Sequence, residues 1–309
     1  MTSPLPSSAS RWQEAFGEPG CRGTPQPFAR RAGDAGPQAP AGVLPEVTRI
    51  WRALAVLLGA LLVVFQPLPR ASAQEDTASS AVFMVVVIEH AAGDTWKLVS
   101  YGTGFFITPE GRALTNSHVV YRAQRDPERE SLLAVVGREF FGVRILCASR
   151  LPYDPSHRSF RGVPFGRDIA ELQVVPSELP LAHWDQTVGG QRLTIARKHE
   201  GAMPRFPTLP LASGHSPGRG DHVRVIGYGH ISPIPYQWEG SGVVDTEFRA
   251  SDNTPLFSIQ FTSPAQPGNS GSPVLNARGE VVGLYTWHSL TRSDLGVAQE
   301  LSAVPSSCR

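Results

Sequence analysis

Three short segments carry residue types suited to acyl transfer. Residues 102–120, GTGFFITPEGRALTNSHVV, contain Asn116-Ser117-His118; residues 166–174, GRDIAELQV, contain Asp168; residues 266–287, QPGNSGSPVLNARGEVVGLYTW, contain Ser270 among glycines. A hydroxyl attacks a carbonyl when an imidazole takes its proton, and the imidazole does so when a carboxylate fixes its tautomer. Taken singly, each residue has an ordinary structural reading: a histidine after a strand packs or caps, an aspartate before a strand makes a turn, and a serine among glycines lies in a loop. Together they form the inventory of nucleophilic catalysis, with Ser270 as nucleophile, His118 as general base and Asp168 as its orienter. Gly268 and Gly271 permit backbone conformations closed to residues with a Cβ, so the N–H groups of Gly268 and Ser270 are placed to meet a developing oxyanion.

These residues fall among strands. From residue 81 onward, β-branched and aromatic runs bounded by Gly, Pro, Asp and Asn predict strands at 82–88, 96–100, 104–108, 132–136, 140–146 and 169–174. A second set is expected at 192–196, 222–227, 242–247, 256–261, 272–275 and 281–286. Such spacing without a strand-helix rhythm predicts an all-β fold of barrels or a sandwich. The loop 198–221, together with 176–190, marks the expected boundary between two lobes, and Arg219-Gly220-Asp221 reads as a turn before the next strand.

The motifs resemble the chymotrypsin-like (trypsin-fold) serine proteases, particularly bacterial members. TNSHVV around His118 looks like the family's histidine motif, RDIAEL around Asp168 like its aspartate motif, and GNSGSP at 268–273 like its serine motif, in the family's order and separated by 50 and 102 residues. The resemblance implies two six-stranded antiparallel β-barrels, about 81–180 and 190–300, with the site in the cleft between them. It also implies a secreted serine endopeptidase working through a Ser-His-Asp triad, an acyl-enzyme and no cofactor, on protein or peptide substrates. Thr286, Trp287 and His288 match the segment that pairs with substrate backbone and walls the primary specificity pocket. His288 stands where many members have Gly and narrows the entrance, and residues 263–267 offer no carboxylate for a Lys or Arg side chain, which leaves small or medium apolar residues as the expected preference.

Other departures bear on activation and specificity. Asn269 precedes the nucleophile where digestive members carry Asp, so no charge is available there for an activation-generated N-terminus. GNSGSP is closest in style to glutamyl endopeptidases, but those carry His where this chain has Tyr285, which argues against glutamate specificity. HtrA-like proteases share the GTGFFIT and TNSHVV style and add a PDZ domain, for which the 39 residues after Ser270 are too few. Two other readings share the motifs: a catalytically silent protease-fold scaffold, favoured by His288 and the Pro-rich 206–210 loop, and an esterase with the same triad.

Composition sets the remaining bounds. The 309 residues carry 28 Lys+Arg and 27 Asp+Glu, a formal net charge of +1, which excludes a nucleic-acid binder driven by bulk charge. Thirty Gly and 28 Pro favour turns over long helices. Residues 1–48 hold eight Pro and six Gly with no hydrophobic period and read as low-complexity sequence or as an extension upstream of the true start, at a codon read as Val43 or Val47. Arg49 and Arg52, the 13-residue apolar run 53–65 and Ala71-Ser72-Ala73 then have the three-part layout of a cleaved export signal. Thirteen residues are short for a membrane span, which takes about 20, so no stable span is expected in the mature chain. Cleavage after Ala73 leaves a peptidase domain of residues 74–309, periplasmic or extracellular, with 21 basic against 23 acidic side chains. Cys147 and Cys308 remain there, either disulfide-paired or free. Neither they nor the scattered histidines have metal-ligand spacing.

Overall fold

The computed structural model describes residues 77–91, 95–151, 166–188, 190–214, 216–229, 236–289 and 292–301. The extension 1–48, the expected leader 49–73 and Cys308 lie outside the described residues. Cys147 is disulfide-bonded, and its partner also lies outside them. No helix among the described residues is long and apolar enough to cross a membrane.

The first barrel is built from β1 (Val82–Ala91), β2 (Thr95–Phe106), β3 (Arg112–Thr115), β4 (Glu130–Val136), β5 (Glu139–Ala148) and β6 (Ala170–Val175), with helix α1 (Ser117–Arg125) between β3 and β4. The strands run in the order β4-β1-β2-β3-β6-β5 and close through a β4–β5 pairing, every neighbour antiparallel. Expected strands 96–100 and 104–108 are one strand, β2. Gly104 stays in its ladder opposite Phe83, where a Cβ would lie 2.8 Å from the Phe83 ring, so the glycine makes room for a core aromatic rather than ending the strand.

β1 is apolar on both faces. Phe83, Val85 and Val87 enter the barrel core with Phe106 and Phe141, while Met84, Val86 and Ile88 pack in a second cluster with Trp184 and Ala196. Those last two belong to a hairpin of β7 (His183–Val188) and β8 (Gln191–Lys198) that joins the first sheet through a parallel β5–β8 pairing at Glu139↔Arg197 and Phe140↔Lys198. This corrects the grouping of strand 192–196 with the second set. The grouping failed because β8 alternates mostly polar residues and shows only Ala196 buried, so its partner is fixed by the β1 face it covers.

The second barrel comprises β9 (His222–Gly229), β10 (Tyr236–Arg249), β11 (Pro255–Phe261), β12 (Pro273–Leu275), β13 (Val281–His288) and β14 (Leu295–Glu300), closed in the order β10-β11-β14-β13-β12-β9. β14, LGVAQE, was not expected: its own β-propensity is weak, and it is a strand because β11 and β13 pair with it on both edges. The barrels meet through an apolar cluster of Val82, Phe105, Leu114 and Ile169 from the first and Ile226, Leu275 and Leu284 from the second. Ile169 in that seam is the neighbour of Asp168.

The crossover 199–221 straps the barrels together. Phe206 is buried and stacks on Phe106 with ring centroids 4.1 Å apart, and its N–H donates to Pro109 O; Leu209 enters the inter-barrel cluster and its N–H donates to Phe106 O; Ala212 N–H donates to Val281 O. Burying an aromatic side chain contributes about 1.5–3 kcal/mol. The Pro-rich 206–210 segment is thus partly core, so it is not a free binding loop.

Candidate active site

His118 is the second residue of α1. The buried face of this helix, Ser117, Val119, Val120 and Ala123, packs on the first barrel, and Arg122 and Arg125 in the last turn suit the negative end of its dipole. The first N–H groups of a helix have no partner inside it, and the N-cap Asn116 makes no side-chain capping bond. Asp168 acts instead: its Oδ1 accepts the His118 backbone N–H at 2.9 Å, and its Oδ2 lies 2.6 Å from His118 Nδ1. The same carboxylate therefore caps the helix and holds the imidazole, with Asp168 fully buried and the His118 side chain 21% exposed.

The segment that carries Asp168 is bonded almost atom by atom. Arg167 N–H donates to Asp252 Oδ2 at 2.7 Å and Arg167 O accepts from Ser149 Oγ at 3.0 Å. Asp168 N–H donates to Gln299 Oε1 at 2.7 Å, and Asp168 O accepts from Asn116 Nδ2 at 2.6 Å and Gln299 Nε2 at 2.9 Å. Ile169 N–H donates to Ser149 Oγ at 2.9 Å, while Ile169 O accepts from Ser117 Oγ at 2.6 Å and Ser149 N–H at 2.8 Å. Burial works against the Asp252 carboxylate, but hydrogen bonds from Arg167 and Thr254 outweigh it and hold the group below its ordinary range.

Ser270 lies in the turn before β12. Its neighbours are tied down: Asn269 N–H donates to Gln266 O, Gly271 N–H to Tyr285 O and Ser272 N–H to Asn269 O, while Thr103 from the first barrel donates its N–H to Ser270 O at 2.8 Å and its hydroxyl to Gly268 O at 2.9 Å. The N–H groups of Gly268 and Ser270 have no acceptor among the described residues. Gly268 and Gly271 have φ of +96° and +89°, and a Cβ would fall 2.3 Å from the Tyr101 ring at Gly268 and 2.0 Å from Thr103 O at Gly271. Only glycine fits either place. The Ser270 hydroxyl donates to Thr286 O at 3.1 Å. Asn269 is fully buried; its amide, in the orientation that satisfies both atoms, donates to Tyr228 O and accepts from Gln266 N–H.

The expected substrate wall divides in its duties. The Thr286 side chain is buried and faces the Asp168 segment: its Oγ1 accepts from Asn116 Nδ2 at 3.0 Å and Gln299 Nε2 at 2.9 Å and donates to Leu284 O. Only its carbonyl faces Ser270. Trp287 is half-buried against the Phe248, Leu256, Leu295 and Val297 cluster. His288 is half-buried opposite Gly296, and burial pulls its imidazole below the usual range. Sequence reasoning missed Gln299, Ser149 and Asp252. Asn116 and Ser117 lay inside the quoted histidine motif and had a signal, whereas Gln299, 131 residues from Asp168, had none. Among the described residues, no group of three or more His, Cys, Asp or Glu is arranged to hold a metal ion.

The sequence profile described as "Trypsin-like peptidase domain" matches residues 102–284, a span that contains His118, Asp168 and Ser270. The chain belongs to this family. It is 26% identical over 206 residues to the putative serine protease HhoA of Synechocystis sp., covering 65% of this chain and 40% of that protein. It is also 26% identical over 187 residues to a probable periplasmic serine endoprotease, DegP-like, of Pseudomonas savastanoi pv. phaseolicola, covering 60% and 28%. The chain thus spans well under half the length of these relatives. A solved structure, the inactive form of a serine-to-alanine mutant of Rv3671c from M. tuberculosis H37Rv, superposes with a TM-score of 0.46 at 20% identity, over 75% of this chain and 86% of that one.

Proposed function

We propose that this trypsin-like peptidase is an exported serine endopeptidase that cleaves peptide bonds with Ser270, His118 and Asp168. The observation that carries the reading is the 2.6 Å contact of His118 Nδ1 with the buried Asp168, on the barrel facing a Ser270 turn whose Gly268 and Ser270 N–H groups are unengaged among the described residues. With the Nδ1 proton held by Asp168, Nε2 is the free base. Ser270 Oγ turns from Thr286 O toward His118, gives its proton to Nε2 and bonds the scissile carbonyl carbon, while the two N–H groups receive the oxyanion. The imidazolium then protonates the leaving amine as the C–N bond breaks. Water attacks the acyl-enzyme by the same base to release the acid and restore the hydroxyl. Thr286 O to His288 is the strand edge offered to substrate backbone. The Arg49–Ala73 layout and the periplasmic relative support export.

A second reading, a latent or silent protease fold, is favoured by one observation: the Ser270 hydroxyl rests on Thr286 O. Labelling the chain from Gln74 with a fluorophosphonate, read by intact mass, separates the two. The endopeptidase reading expects one adduct, absent from Ser270→Ala and strongly reduced in His118→Ala, together with turnover of a peptide substrate. A well-folded chain that takes no adduct has an unassembled site, and one that turns over esters but no peptide is an esterase.

A further inference from the structure

We infer that Gln299 is a positioning residue for the proposed reaction, the one through which docking of the second barrel sets the catalytic carboxylate on the first. The inference deepens the endopeptidase reading and rests on it for its chemical meaning.

A primary amide is the side-chain counterpart of a peptide group, with an acceptor and two donors. Gln299 uses all three within one buried knot. Its Oε1 accepts the Asp168 N–H at 2.7 Å and its Nε2 donates to the Asp168 C=O at 2.9 Å, so it pairs with both backbone groups of a single residue, as a neighbouring strand would. The second Nε2 hydrogen goes to Thr286 Oγ1 at 2.9 Å. Asn116, beside His118, reaches the same two acceptors from the first barrel, at 2.6 and 3.0 Å. Asp168, Asn116 and Gln299 are all fully buried.

Two consequences follow from the location. Gln299 is the next-to-last residue of β14, opposite Leu284 and Leu256, so its backbone is paired on both edges. Thr286, which shares the knot, is the residue whose carbonyl holds the Ser270 hydroxyl at 3.1 Å. The amide therefore ties the backbone of the carboxylate to the strand beside the nucleophile across the barrel seam. Removing it takes away the Gln299 acceptor for Asp168 N–H and one of the donors to Asp168 O, so the carboxylate proposed to orient His118 loses part of what fixes its backbone. Displacements of about 1 Å at such a distance from the chemistry can cost on the order of 10²-fold in rate.

The test compares wild type with Gln299→Met, which removes all three hydrogen bonds, and Gln299→Glu, which keeps Oε1 but removes both Nε2 donors. Val225→Ala, a core deletion in the second barrel away from the knot, is the control for stability loss alone. Two readouts are taken well below every unfolding midpoint: ester hydrolysis resolved into kcat and KM, and the low-field proton resonance of His118 Nδ1–H. In both Gln299 variants the expected result is a kcat lowered about 10²-fold, KM nearly unchanged, and a resonance lost or moved upfield, with Val225→Ala retaining both signals. Variants at Gln299 that keep the wild-type resonance and kcat, and lose only thermal stability as Val225→Ala does, would overturn the inference. A wild type that shows the resonance but neither labels nor hydrolyses ester overturns the endopeptidase reading instead, and the resonance of the variants still decides the role of Gln299.

Discussion

The Asp168 segment and the Ser270 turn, the two parts of the proposed site, are built on opposite rules. Along residues 167–169 every backbone N–H and C=O has a partner, supplied by side chains of both barrels. In the Ser270 turn the flanking amides are engaged, and those of Gly268 and Ser270 have no acceptor among the described residues. Gly268 and Ser270 are only partly buried, so their N–H groups stay open to an incoming acceptor while the surrounding bonds fix the turn. On the proposed mechanism the difference separates two duties. An orienting group must not move and is fully satisfied, whereas groups that bind charge during a reaction must be held in place with their donors unspent.

The largest way to break the contrast is to remove the proposed nucleophile. Ser270→Ala leaves both segments' backbones intact and should lower kcat on the order of 10⁶-fold, with its unfolding midpoint near wild type. A residual rate close to wild type in purified protein would show that Ser270 has no part in the chemistry.

Gly268→Ala attacks the unspent donors directly. With φ at +96° and a Cβ directed 2.3 Å from the Tyr101 ring and 2.5 Å from Tyr228 O, the peptide must turn. We expect kcat to fall about 10²- to 10³-fold with little change in KM. Unaltered kinetics would mean that this amide never meets the oxyanion.

Ser149→Ala attacks the satisfied side. The hydroxyl bonds Arg167 O, Ile169 N–H and the Ser117 hydroxyl. Its loss should cost about 1–3 kcal/mol in denaturant unfolding and lower kcat less than Gly268→Ala does. A larger effect on kcat than on stability would place Ser149 closer to the chemistry than Ile169 suggests.

The smallest effect tests the outer end of the same segment. Asp252 is held below its ordinary carboxylate range by bonds that the unfolded chain lacks. A depressed folded value contributes stability above the unfolded value of 3.8, and that contribution is lost as pH falls through the folded value. Asp252→Asn should therefore lower the thermal midpoint slightly at neutral pH, with the gap to wild type closing under acid conditions. A gap independent of pH would assign the effect to geometry rather than charge.

Much of the candidate site was legible in the sequence for a local reason. His118, Asp168 and Ser270 sit in short motifs whose neighbours serve them directly: Asn116 and Ser117 bond the Asp168 segment, and Gly268 and Gly271 occupy places where a Cβ has no room. Gln299 could not be read, because nothing in LGVAQE distinguishes an amide that bridges two barrels from one on an exposed strand. For the expected substrate wall, the sequence did not show which way the Thr286 side chain faces. Thr286 turns its side chain into the Asp168 knot, on the strand face that Leu284 presents to the seam, and its carbonyl toward Ser270.

The sequence by itself determined the all-β class and the order of His118, Asp168 and Ser270, since alternating apolar runs and glycine-bounded turns are properties of a few consecutive residues; the division into two barrels entered through the family resemblance. Only the tertiary structure decided which strand belonged to which barrel and what holds Asp168. A strand such as β8 or β14 takes its partners from surfaces elsewhere in the chain that need covering or pairing. The hydrogen bonds that fix a buried carboxylate come from whichever side chains the packed seam brings within about 3 Å, here from residues up to 131 positions away.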